Sequence, residues 1–156
     1  MQLRRGCRLW WMALPAIAID RICKVAVTRA MVPGEARTVL PGVLSWAYTR
    51  NRGVAFGLLS GAALLPLLTL ALIVGLLVYL LRHPEAGNLL RSGLWLIIGG
   101  GLGNLYDRLA YGCVIDFIRL DFINFAIFNP ADVFVCAGAA LVAIAVLLQD
   151  RRKAHG

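Results

Sequence analysis

Asp116 and Asp132 are the residues whose type and setting suggest hydrolytic chemistry. Asp116 is a lone acid in the apolar run Val114-Ile115-Asp116-Phe117-Ile118. Asp132 closes Phe128-Asn129-Pro130-Ala131-Asp132, at the head of another apolar run. Asn129 suits a helix N-cap and Pro130 the first helical position. Asp132 then falls in the first turn, where the helix dipole favours a carboxylate. Two carboxylates that converge cannot both ionise easily, so they share one proton. Such a pair can activate a water and protonate a leaving amine, which is peptide hydrolysis without a metal. Each acid also has a plainer reading. Asp132 can be a capping acid, and Asp116 a surface acid on an amphipathic helix.

Asp20 and Lys24 are spaced i,i+4 inside an apolar run, which puts them on one helix face as an ion pair. Charges at such positions serve a site or a bundle interior. Lys24 could also serve a Ser-Lys pair with Ser45 or Ser60, though neither serine stands in a motif. Asn51-Arg52-Gly53-Val54-Ala55-Phe56 and Asn104-Leu105-Tyr106-Asp107-Arg108 supply further polar groups. Cys7, Cys23, Cys113 and Cys136 form no CxxC pair, so neither a disulfide framework nor a zinc site is expected. His83 and His155 lie far along the chain from the acidic motifs, against a histidine-based triad or metal site. No metal and no cofactor are expected.

The elements that would position these residues are set by composition. The chain has 156 residues, 60% of them hydrophobic and only 15% charged, with a mean hydropathy of +0.78. This exceeds what a soluble core of this size holds. The net charge of +8 is dispersed at the ends and between apolar runs rather than along one stripe, against nucleic-acid binding. The pattern predicts one all-α integral membrane domain over residues 1–156, with four spans near 9–31, 61–81, 92–106 and 131–149. The first run follows Arg4, Arg5 and Arg8 like a signal peptide, but it is long and contains Asp20 and Lys24, so a retained span is expected. Segments 32–60 and 107–130 lie between spans. Turn residues among β-prone ones predict a small sheet or hairpin in the first, and the second reads as amphipathic.

Four spans put both termini on one side. Arg4, Arg5, Arg8, Arg82, Arg91, Arg151, Arg152 and Lys153 assign that side to the cytoplasm. The bias is modest, because Arg29, Arg37, Arg50, Arg52, Arg108 and Arg119 fall opposite. Asp116 and Asp132 then share the extracytoplasmic boundary.

Taken together, the segments resemble the bacterial lipoprotein signal peptidases, the signal peptidase II family. The motif of Asp followed four residues later by Lys is Asp20 to Lys24; N-x-G-x-A-F is Asn51 to Phe56. G-G-x-x-G-N-x-x-D-R is Gly99 to Arg108, V-x-D-F is Val114 to Phe117, and F-N-x-A-D is Phe128 to Asp132. The order is kept over nearly the whole chain. Many relatives carry a small hydroxyl residue after the last Asp, where this chain has Val133.

The resemblance implies an aspartic endopeptidase of the bacterial cytoplasmic, or inner, membrane. Its substrate would be a diacylglyceryl-modified prolipoprotein, cut just before the lipidated cysteine. It implies Asp116 and Asp132 as catalytic residues. Asp20, Lys24, Asn51, Gly53, Asn104, Asp107, Arg108 and Asn129 would support them or bind substrate. It also implies a small extracytoplasmic sheet within 32–57 and a short extracytoplasmic helix within 111–127. Membrane lipid and the prolipoprotein are the expected partners, and a monomer is expected. The competing class is a non-enzymatic membrane protein, such as a small transporter or assembly factor. An intramembrane protease of the GxGD type is disfavoured, because Gly101-Leu102-Gly103 is followed by Asn104.

Overall fold

A computed structural model describes residues 9–53 and 64–154. Arg4, Arg5, Arg8, Val54-Ala55-Phe56, Ser60, residues 61–63 and His155 lie outside the described residues. After a 3₁₀ turn at Trp10–Met12 come α1 (Ala13–Ala30), β1 (Ala36–Leu40) and β2 (Leu44–Asn51). They are followed by α2 (Leu64–Arg82), α3 (Asn88–Tyr111), β3 (Val114–Leu120) and α4 (Pro130–Ala154).

Helix α3 is central and touches α1, α2 and α4. Its glycines permit this. Gly99 and Gly103 face α1, and Gly100 meets the α4 backbone at Ala131 so closely that a Cβ would overlap it. Small residues let helix backbones approach where apolar burial gives no net drive. Helix α2 and residues Pro130–Arg151 of α4 are long and apolar enough to cross a membrane, with mean hydropathies of 2.7 and 2.5. Helix α1 has 18 residues, about 27 Å of rise. Helices α1 and α3 are broken in hydropathy by the polar residues that they turn toward each other. Many large apolar side chains of α2 and α4, such as Leu67, Leu72 and Leu147, stay exposed. That is how a helix facing lipid looks. Leu80, Leu94, Trp95 and Ile98 form the core between helices.

The three strands form one antiparallel sheet in the order β1-β2-β3. Its first two strands are the hairpin expected within 32–57. The third corrects the sequence reading. The helix expected within 111–127 is absent among the described residues, and strand β3 occupies its place. Gly112, at φ 67°, closes α3 in the left-handed cap conformation. Val114, Ile115, Phe117 and Ile118 then favour the pleated form by their branched and aromatic side chains. Ile115 and Phe117 pack with Met31 and Tyr48 in a second core cluster beneath the sheet. Burial on this face overrides the amphipathic reading.

Candidate active site

Asn129 is the N-cap of α4 and joins the two acids. Its Oδ1 accepts the backbone N–H of Asp132 at 3.1 Å, and Asp132 Oδ2 accepts the backbone N–H of Asn129 at 3.2 Å. This is a reciprocal capping box, so the plain capping reading of Asp132 is correct as local structure. Asn129 Nδ2 donates to Asp116 Oδ1 at 2.6 Å. One residue therefore binds both carboxylates, and Asp116 and Asp132 converge.

Asp116 reaches this point on β3, not on a helix. Thr49 pairs with Asp116 and Asn51 with Val114, so Asn51 lies diagonally from Asp116 on the same sheet face. Asn51 Nδ2 donates to Asp116 Oδ2 at 2.9 Å. The other end of that amide accepts the Gly53 N–H at 2.8 Å. Gly53 sits at φ 72°, and a Cβ there would overlap the Leu65 side chain. Gly53 thus shapes the turn that aims Asn51.

On α3, the i,i+3,i+4 spacing of Asn104, Asp107 and Arg108 places them on one face. Asn104 Nδ2 donates to Asp132 Oδ1 at 2.7 Å. Every oxygen of the two carboxylates now receives one N–H. Asn104 Oδ1 accepts from Lys24 Nζ at 3.0 Å and from Asn129 Nδ2 at 3.2 Å.

Lys24 is 1% exposed. Its ammonium also contacts Asp20 Oδ1 at 2.9 Å and Asp107 Oδ2 at 2.8 Å. Its three donors meet three acceptors. No serine is among these partners. Ser45 donates instead to Asp121. Arg21 completes the cluster, with Nη2 at 3.0 Å from Asp20 Oδ2 and 2.7 Å from Asp107 Oδ1. Two buried acids thus face two cations and no net charge is stranded, the condition for burying ions at all. Arg21 also lies over the Tyr106 ring, 4.8 Å from its centroid. The sequence reading missed Arg21. Its one signal was an arginine beside an acid within an apolar run.

Half-buried Arg108 donates to the Asn104 carbonyl at 3.5 Å and feels the charges of Asp132, Asp116 and Asp107. An open groove of about 450 Å³ runs beside Asp116, lined by Thr49, Asn51, Ala126 and Ile127 among others. Asp116 is 2% exposed. Burial raises its pKa above the ordinary aspartate value against the bonds from Asn129 and Asn51, and the Asp132 charge raises it further. Among the described residues, no group of three His, Cys, Asp or Glu side chains could hold a metal.

The family model described as signal peptidase (SPase) II matches residues 12–148. A lipoprotein signal peptidase of Streptococcus pneumoniae is 41% identical over 135 residues, 86% of this chain and 88% of the relative. One from Gloeobacter violaceus is 39% identical over 144 residues, 92% of this chain and 83% of the relative. Two solved structures, each described as a bacterial membrane enzyme structure obtained by the in meso method, are both 29% identical to it. One, at 2.3 Å resolution, superposes with a TM-score of 0.84 over 92% of this chain and 89% of its own. The other, at 1.9 Å, gives 0.82 over 88% and 90%. The chain that folds Asp116 and Asp132 onto one asparagine belongs to the signal peptidase II family, the membrane aspartic proteases.

Proposed function

We propose that this protein removes the signal peptide from diacylglyceryl-modified prolipoproteins, cutting just before the lipidated cysteine, with Asp116 and Asp132 as its catalytic pair. The observation that carries this reading is their convergence through Asn129, where the sheet meets the helical bundle. Helices α1 to α4 are the four spans, with both termini in the cytoplasm. The sheet and the acids lie at the extracytoplasmic face of the bacterial cytoplasmic membrane. A single chain suffices, since every residue invoked is in one copy. The acyl chains of the substrate stay among membrane lipids while its peptide enters the groove beside Asp116.

Asp132, at the positive end of α4, carries the charge, and Asp116, raised by burial, holds the proton. A water between them loses a proton to Asp132 as its oxygen attacks the scissile carbonyl carbon. Asp116 gives its proton to the carbonyl oxygen. On collapse the C–N bond breaks, and Asp132 passes its proton to the leaving amine. The hydroxyl proton of the intermediate returns to Asp116, restoring the starting pair. Arg108 faces the developing negative charge and steadies it. Asn51, Asn104 and Asn129 hold the acids in attack geometry.

The experiment is direct. Purified protein is incubated with a diacylglyceryl-modified prolipoprotein and with the same precursor lacking the lipid. A size shift is expected for the modified precursor alone. No shift for it would overturn the reading.

A further inference from the structure

We infer that Lys24 is a positioning residue for Asp132: its ammonium fixes the Asn104 amide so that the NH2 group, not the carbonyl, faces the carboxylate. The inference rests on the reading of Asp132 as catalytic. The two ends of an asparagine amide have nearly the same shape, so their partners decide which way it points. Lys24 can only donate, so the Asn104 carbonyl must face it, as it does at 3.0 Å. The NH2 end is then left for Asp132 Oδ1 at 2.7 Å. The flipped amide would set its NH2 against an ammonium and its oxygen against a carboxylate.

Lys24 itself is held in place. Asp20 and Asp107 grip its other two donors, and burial leaves it no room to turn. Arg21 balances the remaining charge on those acids. Asn129 reinforces the orientation, because its Nδ2 also donates to Asn104 Oδ1, at 3.2 Å. Lys24 bonds to neither Asp116 nor Asp132. Its bond to Asn104 is what a lysine that only neutralises buried acids would lack.

The test is a double-mutant cycle on the full chain in detergent micelles, with diacylglyceryl-modified prolipoprotein as substrate. Lys24→Met is expected to lower kcat about 10- to 100-fold, the loss of one hydrogen bond to a charged group, with KM within about two-fold. Lys24→Met should slow the Asn104→Ala variant by clearly less than it slows the wild type. Wild-type kcat in Lys24→Met, or losses that simply multiply, would overturn the inference. Where Lys24→Met is not recovered folded, Asn104→Asp decides. It keeps an oxygen toward Lys24 and replaces the NH2 toward Asp132 with a second carboxylate oxygen, so its kcat should fall at least as far as that of Asn104→Ala. Wild-type kcat there also overturns the inference. A wild-type enzyme that leaves the substrate uncut would sink the functional reading instead. An active wild type with an equally active Lys24→Met sinks only the role of Lys24.

Discussion

Asp107 Oδ2 accepts the backbone N–H of Ile115 at 3.2 Å, so a buried acid of α3 holds the residue just before Asp116. Asp20 does the same on the other side. Its Oδ1 accepts the N–H of Ala131, the residue just before Asp132, also at 3.2 Å. Both acids bind Lys24 and Arg21. The charge cluster between α1 and α3 is therefore a clamp on two backbones, one leading into each carboxylate of the candidate pair.

Removing one jaw should cost stability and activity together. Asp107→Ala leaves the buried Lys24 and the partly buried Arg21 short of a partner and frees the Ile115 N–H. Breaking a buried pair costs about 3–5 kcal/mol. The expected outcome is a markedly lower melting temperature in detergent and loss of cleavage. Wild-type stability in this variant would mean that the cluster does not hold β3.

The packing of α1 on α3 gives a second check. A Cβ at Gly103 would lie 2.6 Å from Asp20 Oδ2, within the clamp itself. Gly103→Ala should push the helices apart at a cost of about 1–3 kcal/mol. Asp20 would lose its place against Ala131, and kcat should drop. An alanine tolerated in both stability and rate would contradict the close approach.

Asp116 offers a prediction with a definite sign. Burial raises its pKa, and the Asn51 bond lowers it by favouring the charged form. The mechanism needs Asp116 protonated, so activity falls on the alkaline side as it ionises. Asn51→Ala removes a bond that favours ionisation, and the alkaline limb should move to higher pH. A pH–rate profile of kcat measures this. A limb that stays put or moves to lower pH would show that Asp116 is not the acid behind it.

Much of the site was legible because its geometry is local. The spacing of Asp20 and Lys24 on one helix face, and the Asn-Pro-Ala-Asp helix start, need only helix periodicity and capping rules. Both take the form expected, down to the reciprocal bonds of Asn129 and Asp132. Strand β3 was not legible. Its residues read as amphipathic on their own, and they become a strand only because β2, more than sixty residues earlier, supplies the partner. The diagonal contact of Asn51 with Asp116 depends on that register and on nothing local. Arg21 was missed for a similar reason. Its partner Asp107 comes from α3, and no spacing within α1 announces it.

In the proposed mechanism Asp116 and Asp132 perform the cleavage as a pair. The most direct measurement is the single-turnover rate on diacylglyceryl-modified prolipoprotein for Asp116→Asn and Asp132→Asn, each first shown to be folded by its thermal transition. Each folded variant is predicted to be slower than wild type by about 1,000-fold or more. Either one cleaving within about ten-fold of the wild-type rate would contradict the account.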